Sequence, residues 1–163
     1  MLAAAVLIYA AAMTLANLLV AQFGPWVSPI NAFILIGLDL TLRDWLHVRM
    51  KRWQMLALII AAGLLTYALN PAAGRIAIAS SVAFTAAGLV DWATFTRMRG
   101  SWLRRSNGSN VAGALVDSLI FPTLAFGSLM PAVVIGQFIA KVGGGALWAL
   151  LLERASRSRA AQS

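Results

Sequence analysis

Apolar residues fall into long runs along this chain, and short polar or basic segments separate them. A helix that crosses a bilayer needs about 20 consecutive apolar residues, within a range of roughly 17–25. Six runs meet or approach that length, at residues 2–22, 28–42, 53–69, 75–90, 111–129 and 131–152. The second is short for a span and contains Asp39. Helix breakers stand between the runs at Gly24-Pro25, Pro29, Asn70-Pro71 and Pro131. Pro122 lies inside the fifth run, where neighbouring helices in a membrane bundle tolerate a kink. The pattern predicts an all-α, polytopic membrane protein, a bundle of six transmembrane helices over residues 1–152. A short basic cytoplasmic tail at 153–163 follows. No internal repeat, heptad seam or soluble domain interrupts this plan.

Composition agrees with that reading. Of 163 residues, 61% are hydrophobic and only 11% charged, with a mean hydropathy of +0.82. A soluble domain carries about 25% charged residues, so most of this surface must face lipid. The net charge of +8 does not point to nucleic acid, because the basic residues sit in short segments between apolar runs. Arg43, Arg49, Lys51 and Arg52 follow the second run, and Arg97, Arg99, Arg104 and Arg105 follow the fourth. Arg154, Arg157 and Arg159 follow the sixth. The opposite loops hold only Arg75. Basic loops stay cytoplasmic, so six spans place both termini in the cytoplasm, in an inner (cytoplasmic) membrane. The first run has no positive leader segment and is too long for a signal peptide.

Two ionisable groups lie deep within apolar runs. Asp117 shares a helical face with Asn110, Gly113 and Phe121, at spacings of three and four. That stripe offers an amide, a gap, a carboxylate and an aromatic ring to a flat polar ligand. An ionisable residue within a membrane span marks a functional site by default; the competing reading is a hydrogen bond to a neighbouring helix. Gln137 and Lys141 also share a face. Lys141 lies about 15 Å from either end of its span, too deep to reach water, and is expected to pair with Asp117. Such a pair can be part of a binding site or can simply fix helix register.

Other polar residues are less specific. Asp39 precedes Arg43 by one helical turn, a spacing that supports a helix as readily as a site. Asp44 reads as a loop charge beside Arg43, and Asp91 as a counter-charge to Arg97 or a basic loop. Asn17, with Thr14 on its face, requires a partner helix or a ligand. Trp26, Trp45, Trp53, Trp92 and Trp102 fall at span ends as interfacial anchors, whereas Trp148 lies deeper. Gly143-Gly144-Gly145 reads as close helix packing, and these small residues favour a homodimer. There are no cysteines, and the one histidine, His47, lies in a basic segment. Nothing matches a metal site, a nucleotide loop or a nucleophile–base pair, so the chain reads as a non-enzyme without cofactor or metal.

Three blocks resemble the queuosine precursor transporter family, also called the VUT family. They are LANLLVAQFG at 15–24, GLDLTLRDWLH at 37–47, and SNVAGALVDSLIFPTLAFGSL at 109–129 with GQFIAK at 136–141. Arg43-Asp44 matches the family's arginine–aspartate pair. One departure stands out: a Ser-Glu pair common before the aspartate that ends span four is replaced here by Ala87 and Gly88. The resemblance implies import of a 7-deazaguanine such as 7-cyano-7-deazaguanine, a small purine-like substrate. A carboxylate can accept from the adjacent N–H and NH₂ groups of a guanine-like edge, and an aromatic ring can stack on its face. Asp117, Asn110, Gln137, Asn17 and Phe121 supply that set, with Lys141 and Asp39 beside it. Two alternatives remain at this point. One is a vitamin-binding membrane subunit that needs an external ATPase module; the other is a structural membrane protein without transport activity.

Overall fold

The computed structural model describes residues 2–160; the side chains of His47 and of residues 156–160 lie outside the description. All regular structure among the described residues is helical. Six helices are long and apolar enough to cross a membrane. They are α1 (Leu2–Phe23), α2 (Pro25–Leu46), α3 (Arg52–Leu69), α4 (Gly74–Arg97), α5 (Trp102–Phe126) and α6 (Pro131–Ala160).

Local chemistry sets the boundaries. Gly24 and Pro25 turn the chain out of α1. After α3, the Asn70 side chain accepts from the Ala72 N–H at 3.1 Å, while Pro71 opens the turn into α4. Ser101 caps α5 by accepting from the Arg104 N–H at 3.3 Å. Gly127, at φ 77°, ends α5 in the left-handed conformation that favours glycine. Pro122 is accommodated within α5 without breaking it.

Four helices extend past the ends that hydropathy predicts. α2 continues beyond residue 42 and takes in Arg43 and Asp44. α4 continues beyond residue 90 and takes in Asp91. α5 begins nine residues earlier than residue 111, at Trp102. In each case charged or polar residues that would end an isolated span are buried against partner helices. The sixth helix likewise runs through the start of the expected tail at 153; residues 161–163 lie outside the described residues.

The helices close into a ring. α1 packs on α2 and α3, α3 on α4, α4 on α5, α5 on α6, and α6 returns to α2. α2 is irregular: a π-helical segment, Ala32–Ile36, interrupts it. This widened turn meets α6 closely. A Cβ on Gly144 would lie only 2.1 Å from the Phe33 carbonyl oxygen, so only glycine fits there. The Trp148 indole N–H donates to the Ile34 carbonyl within this turn at 3.0 Å. The close packing expected of Gly143-Gly144-Gly145 is thus found inside the chain, at the α2–α6 crossing.

Tyr9, Met13, Leu40, Leu46, Ile59 and Phe84 form the larger apolar core, and Val20, Ala83, Phe121 and Ala125 a smaller one. Large apolar residues including Leu7, Ile8, Leu64, Ile78, Leu89 and Ile139 point outward, the surface a bilayer requires. Trp26 and Trp53 are exposed at helix ends, as interfacial anchors would be.

Candidate functional site

Along α5, Ser106, Asn110, Gly113, Asp117 and Phe121 are all buried, so the predicted stripe faces inward. Opposite it on α6, Gln137 and Lys141 are buried one turn apart. The Lys141 ammonium lies 2.5 Å from Asp117 Oδ2. It also donates to Gln137 Oε1 at 2.6 Å and to Ser118 Oγ at 3.3 Å. Its three N–H groups therefore each have an acceptor. Gln137 in turn donates through Nε2 to Ser28 Oγ at 2.9 Å, tying α6 to the start of α2.

Asp117, Gln137, Lys141 and Ser28 line a small cavity of about 20 Å³, together with Asn17, Asn31 and Phe121. Such a volume holds about one water, so a purine-sized ligand requires the surrounding helices to part. Among the described residues, Asp117 Oδ1 and Asn31 Oδ1 on the lining find no hydrogen-bond donor. Asn31 uses its amide N–H on the Ala16 carbonyl at 2.8 Å. Asn17 donates to Thr66 Oγ1 at 3.3 Å, the partner on another helix that its burial demands. The aromatic rings of Phe84 and Phe121 complete the wall.

Two predicted site residues do not line this cavity. Asn110 lies two turns along α5 and faces Gly145 of α6; neither of its amide atoms has a partner. Asp39 is wholly buried, and neither carboxylate oxygen has a hydrogen-bond partner. It lies within electrostatic reach of both Arg43 and Asp117.

A second polar cluster occupies the other end of the bundle, beside the basic loops 48–51 and 98–101. The expected partners there are corrected. Arg43 pairs across helices with Asp91, at 3.8 Å from Nη2, rather than with Asp39. Asp91 is thereby a buried counter-charge to Arg43 and not to a loop. Asp44 is buried too, and accepts from Ser106 Oγ at 2.5 Å. The Asp44 and Asp91 carboxyl groups are close enough to act on each other electrostatically. The buried Tyr9 hydroxyl lies within electrostatic reach of Asp39, Arg43, Asp91 and Asp117. A string of buried polar groups thus runs from the cavity toward the basic end.

Sequence reasoning missed Ser28, Asn31 and Ser118 in the first cluster, and the Arg43–Asp91 and Ser106–Asp44 contacts in the second. Ser28 and Asn31 are three apart, a helical spacing that signals one face. The cross-helix contacts carry no such local signal.

A family model described as "Putative vitamin uptake transporter" matches residues 2–152. The chain belongs to that family. Comparison with curated proteins and with solved structures finds no match. The protein is therefore a multi-pass membrane protein of a transporter family.

Proposed function

We propose that the protein imports a queuosine precursor, 7-cyano-7-deazaguanine or a related 7-deazapurine, through the cavity between Asp117 and Phe121. One observation carries the reading: buried acceptors without donors, Asp117 Oδ1 and Asn31 Oδ1, stand beside aromatic rings. The ligand that complements them is flat and presents N–H groups at its edge. A 7-deazaguanine does so, with a ring N–H adjacent to an exocyclic NH₂, and its faces suit the rings of Phe84 and Phe121.

In this reading Lys141 pairs with one Asp117 oxygen while the site is empty and leaves the other as the acceptor for the base. Gln137, Asn17 and Asn31 supply amides around the rim of the base. Asn110 and Asp39 lie beyond the first contacts, on the route toward the basic end. The substrate is a neutral base, so it moves down its own gradient or with a coupled proton, and no chemical transformation is involved. Both termini and the basic loops lie in the cytoplasm, with the bundle in the inner membrane. A homodimer also belongs to this reading; mass measurement in nanodiscs tests it, and a monomer in every lipid composition removes it.

The test is import in cells that cannot make the precursor. The expected result is that expression of this chain, with the base supplied outside, restores the modified tRNA. No restoration with well-expressed protein contradicts the reading. Uptake that appears only with an added ATPase module supports the vitamin-binding-subunit alternative instead.

A further inference from the structure

A larger cavity, of about 230 Å³, opens between α3 and α4 near the basic end. It is distinct from the smaller cavity beside Asp117, with Phe84 in the wall of both. Its mouth is formed by outward-facing Trp53, Leu56 and Leu89, so it is reached from the lipid-facing surface. Arg43 stands at its inner end, only 3% exposed. Arg52 stands at the mouth, its guanidinium 3.6 Å over the Trp92 ring.

Among the described residues, none of Arg43's three guanidinium nitrogens makes a hydrogen bond. Asp91 is close enough to Nη2 for an ion pair, at 3.8 Å, but too far for a hydrogen bond. Asp44, which also acts electrostatically on Arg43, is engaged by Ser106. On the other side, Nη1 faces Gly88: a Cβ there would lie 3.7 Å from it, with nothing nearer. The missing side chain leaves a gap in front of a buried cationic donor. A buried guanidinium is costly until an anion meets its N–H groups, and Arg is the side chain best shaped to grip phosphate oxygens.

We propose that this cavity binds the phosphate headgroup of an anionic phospholipid, with Arg43 as the deep anchor and Arg52 at the mouth. Basic pockets between helices at the cytoplasmic face suit such headgroups. The mouth opens among apolar side chains, and Leu56, Ile59 and Leu89 offer a surface for the acyl chain. The occupant is anionic overall, because a zwitterionic headgroup would bring its ammonium against Arg52. The phosphate approaches Nη1, on the side away from Asp91.

The test uses the purified full chain in detergent, titrated with dioleoyl phosphatidylglycerol, dioleoyl phosphatidylcholine or inorganic phosphate. Melting temperature and lipid adducts in native mass spectra are the readouts. Phosphatidylglycerol is expected to raise the melting temperature by on the order of 5 °C and to remain bound, and the other two are not. Gly88→Glu places a carboxylate within reach of Arg43 Nη1 and should abolish the phosphatidylglycerol-specific rise. Arg52→Gln, at the exposed mouth, should reduce that rise by about half while the fold persists; this variant decides the matter if Gly88→Glu does not fold. Equal stabilisation by phosphatidylcholine, an equal effect of inorganic phosphate, or a full phosphatidylglycerol response in both variants overturns the proposal. Because the readout is lipid binding, its failure leaves the reading of the Asp117 site unaffected.

Discussion

Lys141 and Asp117 meet at 2.5 Å across the α5–α6 interface, both buried away from lipid and water. Each removes the cost of the other's charge in a low-dielectric interior. The contact ties α5 to α6 and leaves one Asp117 oxygen unengaged, the acceptor that the proposed reading gives to the base.

The tie predicts an asymmetry between single and double substitutions. Lys141→Met strands a buried carboxylate and should destabilise the protein by about 3–5 kcal/mol. Lys141→Met combined with Asp117→Asn should recover much of that loss. Thermal unfolding in mild detergent measures both. Equal stability of the two variants would show that the residues are not energetically coupled.

At the α2–α6 crossing, Gly144→Ala should be far more damaging than Gly143→Ala. A Cβ on Gly144 would collide with the Phe33 carbonyl, whereas one on Gly143 would rest 3.5 Å from the Phe33 ring, an ordinary contact. Overpacking of this kind costs about 1–3 kcal/mol or more. Melting temperatures of the two variants provide the comparison, and matching values would contradict the described crossing.

The second polar cluster depends on the hydroxyl of Ser106, which is buried and donates to Asp44. Ser106→Ala removes that donor and should cost about 1–3 kcal/mol. Ser101→Ala, at the exposed start of the same helix, serves as a control and should cost about 1 kcal/mol, the typical worth of a cap. A Ser106→Ala variant no less stable than the control would mean Asp44 does not rely on that contact.

Topology offers an independent check. Reporter fusions at Asn70 and after the C-terminus should report opposite sides of the membrane, with the C-terminus inside. The same side for both would defeat the proposed orientation.

Much of the fold was legible in the sequence because spanning length and lipid exposure are local properties. Six apolar runs gave six spanning helices, and the spacing of Asn110, Gly113, Asp117 and Phe121 marked a face that is in fact buried. The helix ends were less legible. Arg43, Asp44 and Asp91 appeared to end their spans because hydropathy treats each charge as exposed. Their burial depends on partners from distant parts of the chain: Asp91 for Arg43, and Ser106 for Asp44. No window along the sequence contains both members of either pair. The same reason hid Ser28, which reaches Gln137 only once α2 and α6 pack. Asn110 failed to join the cavity because two helical turns along α5 carry it past Asp117 to Gly145.

The most direct test of the central claim is uptake of a labelled 7-deazaguanine into proteoliposomes by the parent protein and by Asp117→Asn. The substitution keeps the size of the side chain and removes the charge that accepts the base edge. The account predicts saturable uptake by the parent, and loss of uptake and of base-dependent thermal stabilisation in a variant that remains folded. Uptake by Asp117→Asn equal to that of the parent would contradict the assignment of this site.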